Sequence, residues 1–444
     1  MMIVKIRSRI AVFPTLAGYL ALATPASAET GAASSIDGAD TAWLLISAAL
    51  VLMMTIPGLA LFYGGLVRRK NVLSTLIQSF ILVAVVSIQW VLFGYSLAFS
   101  PGNAIIGGLQ WIGLTGVSAT TPYADYSATV PHQAYMIYQC MFAVITPALI
   151  TGAIAERMTF KGFLIFSILW ITFIYDPLAH WVWGVGGWIH RMGALDFAGG
   201  TVVHISSGVA ALAAALAVGP RRGYPHEAMR PHNLTMAVTG AGLLWVGWFG
   251  FNAGSSLAAN SLAVSAFVAT HLGAAAATLT WMAIEWRVGG RPTLLGAASG
   301  AVAGLVAITP ASGYVGPMAA IVIGGVAGLL CFGAVRMKQH FHYDDALDVV
   351  GVHAVGGIWG ALATGLFASV LVNSAGADGL FSGNPSLLMI QAIAVLATIA
   401  FSFIGSTVLL RITDAMVGIR VDEEDEEVGL DLSQHEESGY AFEG

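Results

Sequence analysis

The stretch GTVVHISSGVAALAAALAVG, residues 200–219, decides the fold, because it has the composition of a membrane-spanning helix and yet contains a histidine. A helix needs about 20 predominantly apolar residues to cross the hydrocarbon core of a bilayer. A second stretch, VVGVHAVGGIWGALATGLF at residues 349–367, combines the same features. Ionisable side chains at membrane depth are costly and generally face a cavity or a partner, so His204 and His353 are candidate functional residues.

The whole chain shares this apolar character. Hydrophobic residues make up 57% of the 444 residues and charged residues only 9%, whereas soluble domains carry about 25% charged residues. The 53 glycines are typical of membrane helices that pack closely through small side chains. We therefore predict an all-α integral membrane protein.

Several classes of function lack support in the sequence. No basic patch or arm indicates nucleic-acid binding, and the most acidic stretch follows Arg420 near the C-terminus. Cys140 and Cys331 lie in separate apolar segments and form no metal motif. No phosphate loop, dinucleotide fingerprint or G-x-S-x-G motif occurs, although a Ser-His-Asp hydrolase without that motif stays open. We expect a protein that is not an enzyme and that uses no cofactor or metal.

The N-terminus has the features of a secretory signal peptide. Three basic residues lie within the first nine, an apolar run follows, and the small-residue sequence Ala-Ser-Ala ends at Ala28. This order is typical of a cleaved signal peptide, so we predict a signal peptide at residues 1–28 and a short external segment at residues 29–40. The alternative is a genuine first transmembrane helix.

Eleven apolar segments follow between residues 41 and 412, and each predicts a transmembrane helix. They are centred near residues 54, 86, 143, 170, 209, 243, 272, 303, 326, 360 and 399. Of the 15 Lys and Arg residues after the signal peptide, all but Arg191 follow odd-numbered spans or lie at the C-terminus. The positive-inside rule then predicts an external mature N-terminus and a cytoplasmic C-terminus.

The two histidines indicate an internal repeat, because His204 lies in span five and His353 in span ten. Two units of five spans, with span eleven added, fit the chain, and an odd number of spans makes the second unit run in the opposite direction. Inverted repeats place their site between the halves, near the membrane midplane. Small residues lie on the same face as each histidine, so the two side chains can meet at the centre of the protomer. Two unrelated histidines bound to local backbone, or a pair that ligates haem, are the alternatives.

Four motifs carry a resemblance to a known family. They are FAVITPALITGAIAERM at residues 142–158, GALDFAGGTVVHI at 193–205, GWFGFNAGS at 247–255 and DDALDVVGVHAVGGIWG at 344–360. In this order and together with eleven spans, they resemble the Amt/Mep/Rh family of ammonium transporters, most closely its bacterial Amt branch. The resemblance extends from about residue 40 into the C-terminal tail.

The resemblance implies a homotrimer with one narrow, hydrophobic pore in each protomer. His204 and His353 match twin histidines at the middle of that pore, where they would line the path and relay a proton. Phe142 and Phe251 match two stacked phenylalanines that would gate the outer mouth. Trp248 matches a further pore-lining aromatic residue.

The resemblance also implies a substrate site outside the gate. Tyr138 belongs to it and is a phenylalanine in many relatives, and Trp183 is preferred over Trp181 and Trp188, which are expected to lie in an interfacial aromatic belt. Asp196 is expected to be structural, because it can cap the first turn of span five. The full substrate site comprises Tyr138, Phe142, Trp183 and Ser255.

These residue types suit ammonium, a small cation that donates four hydrogen bonds. Aromatic faces attract a desolvated cation by about 2 kcal/mol or more, and a serine hydroxyl offers a directed acceptor. An apolar pore disfavours a bare cation far more than neutral ammonia. We therefore predict recruitment of ammonium, with methylammonium as an analogue, deprotonation near the gate, and passage of ammonia along histidines suited to proton transfer near neutrality. An ammonium sensor, or an Rh-like channel for another small neutral molecule, is the alternative.

The last segment, residues 413–444, is predicted to be a cytoplasmic regulatory tail. Its acidic part is expected to be solvated, and its less charged part is expected to dock on cytoplasmic loops. The resemblance implies that a PII signal protein binds at the cytoplasmic pore mouth. The basic loop at residues 219–233 could meet this partner or the tail. We expect the protein to serve nitrogen uptake in the inner membrane, surrounded by lipid.

Overall fold

The computed structural model describes residues 35–440. The predicted signal peptide lies outside the described residues. Within residues 35–440 the chain is helical, and the only β-type pairings are isolated bridges.

All eleven predicted spans are present as apolar helices among the described residues, which confirms the predicted fold class. Ten of them have membrane length, and span eight, Leu294–Ile308, is shorter. In chain order, spans one to seven and nine to eleven are Gly38–Leu66, Arg69–Phe99, His132–Ile154, Phe160–Val182, Gly200–Val218, Leu234–Ser256, Ser261–Gly289, Pro317–Met337, Val350–Phe367 and Pro385–Val417.

Span eleven continues beyond residue 412, the predicted end of the transmembrane domain. The helix ends at Val417, where Gly418 has a φ angle of 71°. Glycine enters this left-handed region at little cost and so stops the helix there. The helix of span eleven therefore extends to Val417.

Side-chain caps fix the beginnings of several helices. The carboxylate of Asp37 accepts hydrogen bonds from the backbone N–H groups of Ala39 and Asp40, at 2.8 and 2.9 Å, and so begins span one. The hydroxyls of Thr159 and Thr293 each accept from the backbone N–H three residues further on. Such caps satisfy backbone donors that have no partner within the helix.

Helix packing repeats between two halves of the molecule. Span one packs on span three and span three on span five, just as span six packs on span eight and span eight on span ten. Spans one and six contact each other, as do spans five and ten, and span eleven lies along both span five and span ten. Because each unit has five spans, the two units run in opposite directions, and their interface contains both histidine-bearing helices.

We call the face at which span one begins the N-terminal face, and the face at which span eleven ends the C-terminal face. One buried arginine, Arg157, links three helix ends near the C-terminal face. Arg157, which is fully buried, donates to the carbonyl oxygens of Ala155, Gly219 and Asp344. These carbonyls follow spans three and five and precede span ten, so one guanidinium joins three helix ends.

The tail folds back onto the C-terminal face through two short helices, Glu423–Val428 and Leu430–His435. The backbone N–H of Leu430 donates to Asn71 Oδ1, and Asp431 Oδ1 accepts from the backbone N–H of Ser74, both at 2.8 Å. The tail carboxylate thereby caps the first turn of span two.

Acidic residues of the tail also contact the loop after span five. Arg222 forms an exposed ion pair with Glu427, and its backbone N–H donates to Glu426 Oε1 at 2.6 Å. Glu426 also pairs with Arg420 at 2.9 Å. The acidic part of the tail was expected to be solvated. Part of it instead forms these ion pairs and hydrogen bonds, and Glu426 is buried.

Candidate functional site

Two histidines from symmetry-related spans meet at the centre of the molecule. The Nδ1 atoms of His204 and His353 are 3.3 Å apart, and the ring centroids are 5.3 Å apart. Both side chains are buried, with 1% and 4% of their surface exposed. A hydrogen bond between two ring nitrogens needs one donor and one acceptor, so only one of these two Nδ1 atoms carries a hydrogen. The pair therefore shares one proton across its contact.

This spacing does not fit the alternative of a bis-histidine haem. A haem iron and its macrocycle must lie between the two ligand nitrogens, whereas these nitrogens are in direct hydrogen-bond contact. Among residues 35–440 no group of three His, Cys, Asp or Glu side chains is arranged to hold a metal ion.

Each histidine lies in a π-helical turn at the start of its span. His204 belongs to the turn Gly200–Ile205, and His353 to the turn Val350–Ala354. Both helices continue as regular α-helix. A π-helical turn is rare and changes the direction of the side chains that it carries, and it occurs frequently at functional sites. The same local device thus directs both imidazoles into the interface.

Two glycines allow the histidine-bearing helices to approach closely. A Cβ atom on Gly208 would lie 2.2 Å from the backbone nitrogen of Ala354, and one on Gly357 would lie 3.0 Å from Cβ of His204. The first distance is far below van der Waals contact. The small residues near the histidines therefore set the distance between spans five and ten.

A buried aspartate holds the first turn of span five. Asp196 Oδ1 accepts from the backbone N–H groups of Gly199 and Gly200, at 2.9 and 2.6 Å. Its Oδ2 accepts from the backbone N–H groups of Thr201 and Val202, at 2.8 and 3.3 Å, and from the Thr201 hydroxyl. The carboxylate is occupied by these five donors, so it supports the helix rather than a ligand.

A second aspartate plays the same part in span ten, and our reading of the sequence missed it. Asp345 Oδ2 accepts from the backbone N–H of Val350 at 2.7 Å. Asp345 precedes His353 by the same number of residues as Asp196 precedes His204. That equal spacing was the signal that could have found it.

A column of aromatic rings leads from the N-terminal face to the histidine pair. The rings of Trp183 and Phe142 meet edge to face, with centroids 5.9 Å apart. Phe142 and Phe251 lie 4.3 Å apart, and Phe251 stacks on His204 at 6.0 Å and 22°. Both phenylalanines are buried. The two phenylalanine rings lie between Trp183 and His204 in this column.

Trp248 lies beside Phe251 against His204, and the centroids of the Trp248 and Phe251 rings are 5.5 Å apart. The rings of Trp248 and His204 are stacked at 5.4 Å and 27°. The indole N–H of Trp248 donates to the Thr309 hydroxyl at 2.8 Å. This bond satisfies the only polar atom of the indole, so the ring presents an apolar face to the histidine.

Three of the four expected substrate-site residues line one cavity at the N-terminal face. We call it the N-terminal vestibule; its volume is about 490 Å³, and its walls include Phe142, Trp183 and Ser255. The indole N–H of Trp183 donates to the carbonyl oxygen of Asp196 at 2.9 Å, which fixes the ring against Phe142. Tyr138 is fully buried behind Phe142, with its hydroxyl 3.1 Å from Ser255 Oγ.

The competing tryptophans lie elsewhere. Trp181 and Trp188 pack on each other with centroids 5.6 Å apart, and Trp181 donates to the carbonyl oxygen of Ile105. Neither is among the described residues that line the N-terminal vestibule.

The space next to the histidines is narrow and almost entirely apolar. Its volume is about 10 Å³, roughly the smallest volume that can hold one water molecule. Apart from the two histidines and Trp248, its walls are Met54, Leu59, Phe62, Ile145, Leu149, Val203, Leu244, Phe251 and Val302.

A wider, charged cavity of about 510 Å³ opens from His353 to the C-terminal face, and we call it the C-terminal vestibule. Arg221, Lys338 and Asp348 contribute to its walls. Although burial disfavours its charge, the ion pair with Asp348 raises the pKa of Lys338. Burial likewise opposes the charge of Asp344, but the bidentate contact with the Arg221 guanidinium lowers its pKa.

Known proteins are similar to this chain in sequence and in fold. A profile of the Ammonium Transporter Family matches residues 42–440. The chain is 54% identical to an ammonium transporter of Bacillus subtilis over 402 residues, which cover 90% of this chain and 98% of the relative. The crystal structure of Saccharomyces cerevisiae Mep2 superimposes with a TM-score of 0.81 at 36% identity, covering 88% of both chains. A solved structure named Sensor Amt Protein gives a TM-score of 0.81 at 27% identity, covering 89% of this chain and 98% of the other.

These matches agree with the resemblance carried by the four sequence motifs. The apolar helices and the relatives together identify a multi-pass membrane protein, and the relatives are named as transporters rather than enzymes. The chain belongs to the Ammonium Transporter Family, within its bacterial Amt branch.

Proposed function

We propose that each protomer recruits ammonium at the N-terminal vestibule, removes a proton near the Phe142–Phe251 gate, and passes ammonia along the histidine pair. The observation that carries this proposal is the continuous column from Trp183 through both phenylalanines to His204 and His353.

Recruitment rests on the three side chains that face the N-terminal vestibule. The faces of Trp183 and Phe142 attract a cation by about 2 kcal/mol or more when it is desolvated, and Ser255 offers a hydroxyl oxygen. This combination favours a cation that is also a hydrogen-bond donor. It concentrates ammonium at the mouth without the ring of carbonyl oxygens that a potassium filter uses.

Deprotonation follows from the apolar walls beyond the gate. A bare cation there loses its hydration and gains no counter-charge, at an effective cost of several kcal/mol, whereas neutral ammonia carries no charge and loses far less. The space beside the histidines is about 10 Å³ and fits a molecule of the size of water or ammonia. The species that enters is therefore ammonia.

The histidine pair supplies polar edges within this apolar passage. Since one hydrogen lies between the two Nδ1 atoms, each imidazole can act as donor or acceptor toward a passing ammonia. An imidazole suits reversible proton transfer near neutral pH. The pair lines the path and relays the proton.

The orientation and assembly form part of the proposal. The N-terminal face is external and the C-terminal face cytoplasmic, because nearly all basic residues of the mature chain lie on the latter. The protein would be a homotrimer in the inner membrane, delivered with the help of the signal peptide at residues 1–28. The C-terminal vestibule would receive a PII protein.

The test is an ammonium pulse applied to purified protein in proteoliposomes on a solid-supported membrane, with internal pH recorded in parallel. We expect a response that saturates with ammonium and is competed by methylammonium. Potassium at the same concentration should give none. Current would show net charge transfer, and internal alkalinisation without current would show passage of neutral ammonia. A protein that binds ammonium but gives neither signal would contradict transport and favour the sensor function named for one structural relative.

A further inference from the structure

Tyr138 differs from the other three members of the proposed recruitment site, because it does not line the N-terminal vestibule, and its side chain is fully buried. Its ring meets that of Phe142 at 5.0 Å and 68°, so the ring supports the gate from behind. Its hydroxyl oxygen is 3.0 Å from the Gly250 carbonyl oxygen, 2.9 Å from that of Phe251 and 3.1 Å from Ser255 Oγ. The hydroxyl therefore faces Ser255 and the end of span six instead of the N-terminal vestibule.

The hydrogen of the Ser255 hydroxyl has two acceptors within reach, and both lie in the interior. Ser255 Oγ is 2.9 Å from the Phe251 carbonyl oxygen and 3.1 Å from the Tyr138 hydroxyl. With either acceptor the hydrogen points inward, which leaves a lone pair of Oγ for the vestibule that Ser255 lines. An acceptor with a fixed direction suits ammonium, whose hydrogens are all donors.

We propose that the Tyr138 hydroxyl is a positioning group that keeps Ser255 turned as an acceptor toward the vestibule. It would thereby set the affinity for ammonium and the preference for ammonium over methylammonium, which has one N–H donor fewer. This inference rests on the proposed transport function. A phenylalanine at this position would keep the ring against Phe142 but remove one of the two inner partners of Ser255. The serine hydrogen would then turn more freely toward the vestibule, where it opposes a cation.

The variant Tyr138→Phe should fold, because it leaves no buried acceptor without a donor. The Gly250 carbonyl oxygen still accepts from the backbone N–H of Ala253, and the Phe251 carbonyl oxygen still accepts from Ser255. Tyr95→Phe is a matched control. Within residues 35–440 its hydroxyl has His132 as hydrogen-bond partner, at 2.6 Å, in a different aromatic cluster of the same half of the bundle.

The experiment compares the parent with Tyr138→Phe, Ser255→Ala, the double variant and Tyr95→Phe in proteoliposomes. Initial ammonium and methylammonium responses are measured as a function of concentration. We expect Tyr138→Phe to raise the half-saturating ammonium concentration roughly three- to tenfold, the effect of one hydrogen bond, with the maximal response within about a factor of two. The ammonium preference should fall, and Tyr95→Phe should match the parent.

The double variant separates positioning from general support of the gate. If Tyr138 acts through Ser255, the double variant should be no weaker than Ser255→Ala, because the two effects are not independent. Two results would overturn this inference alone, provided that the parent response saturates with ammonium. In the first, the effects of the two single substitutions multiply in the double variant. In the second, Tyr138→Phe has the kinetics of the parent. A parent without a saturating response would overturn the transport proposal and this inference together.

Discussion

Spans five and ten are built alike but have different surroundings. Each has an aspartate cap, a π-helical turn with a histidine, and small residues where the two helices cross. His204 lies against the rings of Trp248 and Phe251 on the side of the gate, whereas His353 lines the cavity that opens to the C-terminal face. The two caps differ as well. Asp196 accepts five hydrogen bonds, whereas Asp345 accepts one from the backbone N–H of Val350.

This difference shows how one local design serves two tasks. In span five the many bonds of Asp196 hold a histidine among aromatic rings, next to the two phenylalanines proposed as the gate. In span ten the cap lies beside charged residues of the C-terminal vestibule, and His353 lines that cavity. The shared design brings the two imidazole rings together, and their surroundings are aromatic on one side and charged on the other.

The largest expected effect comes from removing the two caps separately. Asp196→Ala should lower the free energy of unfolding by roughly 4 kcal/mol, because several buried N–H groups lose their acceptor at about 1–3 kcal/mol each. Asp345→Ala should cost only about 1–2 kcal/mol. Unfolding of the detergent-solubilised protein, followed by intrinsic fluorescence, measures both. Equal losses would contradict the stated difference between the caps.

The stability contribution of Asp345, the cap of span ten, is expected to depend on pH. Burial is the main cause that raises the pKa of Asp345 from 3.8 to about 6, while Lys338 opposes the shift and Asp348 adds to it. Because the folded-state pKa is the higher one, Asp345 favours the folded state at low pH, and this contribution is lost as the pH rises through about 6.

Asp345→Asn keeps an acceptor oxygen for Val350 but does not titrate. Its stability relative to the parent should therefore increase by up to roughly 3 kcal/mol as the pH rises from about 4 to above 7. Unfolding midpoints of both proteins across this range provide the test. A constant difference between the two proteins would show that Asp345 is not the titrating group.

A smaller effect than the loss of Asp196 is expected at the crossing of the two helices. Gly208→Ala places a methyl group against the backbone of Ala354 and should cost about 1–3 kcal/mol by overpacking. Gly242→Ala is the control, since nothing lies within 4 Å of its added Cβ and alanine favours a helix by about 1 kcal/mol. Unfolding midpoints and the ammonium response of both variants are compared. If Gly208→Ala behaves like the control, the crossing does not set the histidine distance.

Much of this architecture can be predicted from the sequence. Membrane length and composition gave the eleven spans, because every span in a bilayer must satisfy its own backbone and bury an apolar surface. The histidines at equivalent spans predicted their meeting point, since the odd number of spans fixes the inverted arrangement. Small residues beside His204 and His353 indicated the close crossing that Gly208 and Gly357 provide.

Other features depend on tertiary contacts that a pattern does not contain. The π-helical turns keep the apolar composition of an α-helix, so hydrophobic periodicity does not reveal them. Asp345 stands close to Asp344 and Asp348, so composition does not distinguish it as the cap, and only its spacing to His353, compared with that of Asp196 to His204, points to it. Tyr138 was expected to contribute to the substrate site because of its aromatic ring. Its position on span three instead directs the hydroxyl to the end of span six.

The most direct test of the central claim, that His204 and His353 act as one unit in the ammonia path, is the ammonium response of the two single variants and the double variant. His204→Ala and His353→Ala should each reduce the parent response at least about tenfold, and the double variant should be no weaker than the weaker single variant, as expected for residues that act together. Folded single variants that both respond like the parent would contradict the claim.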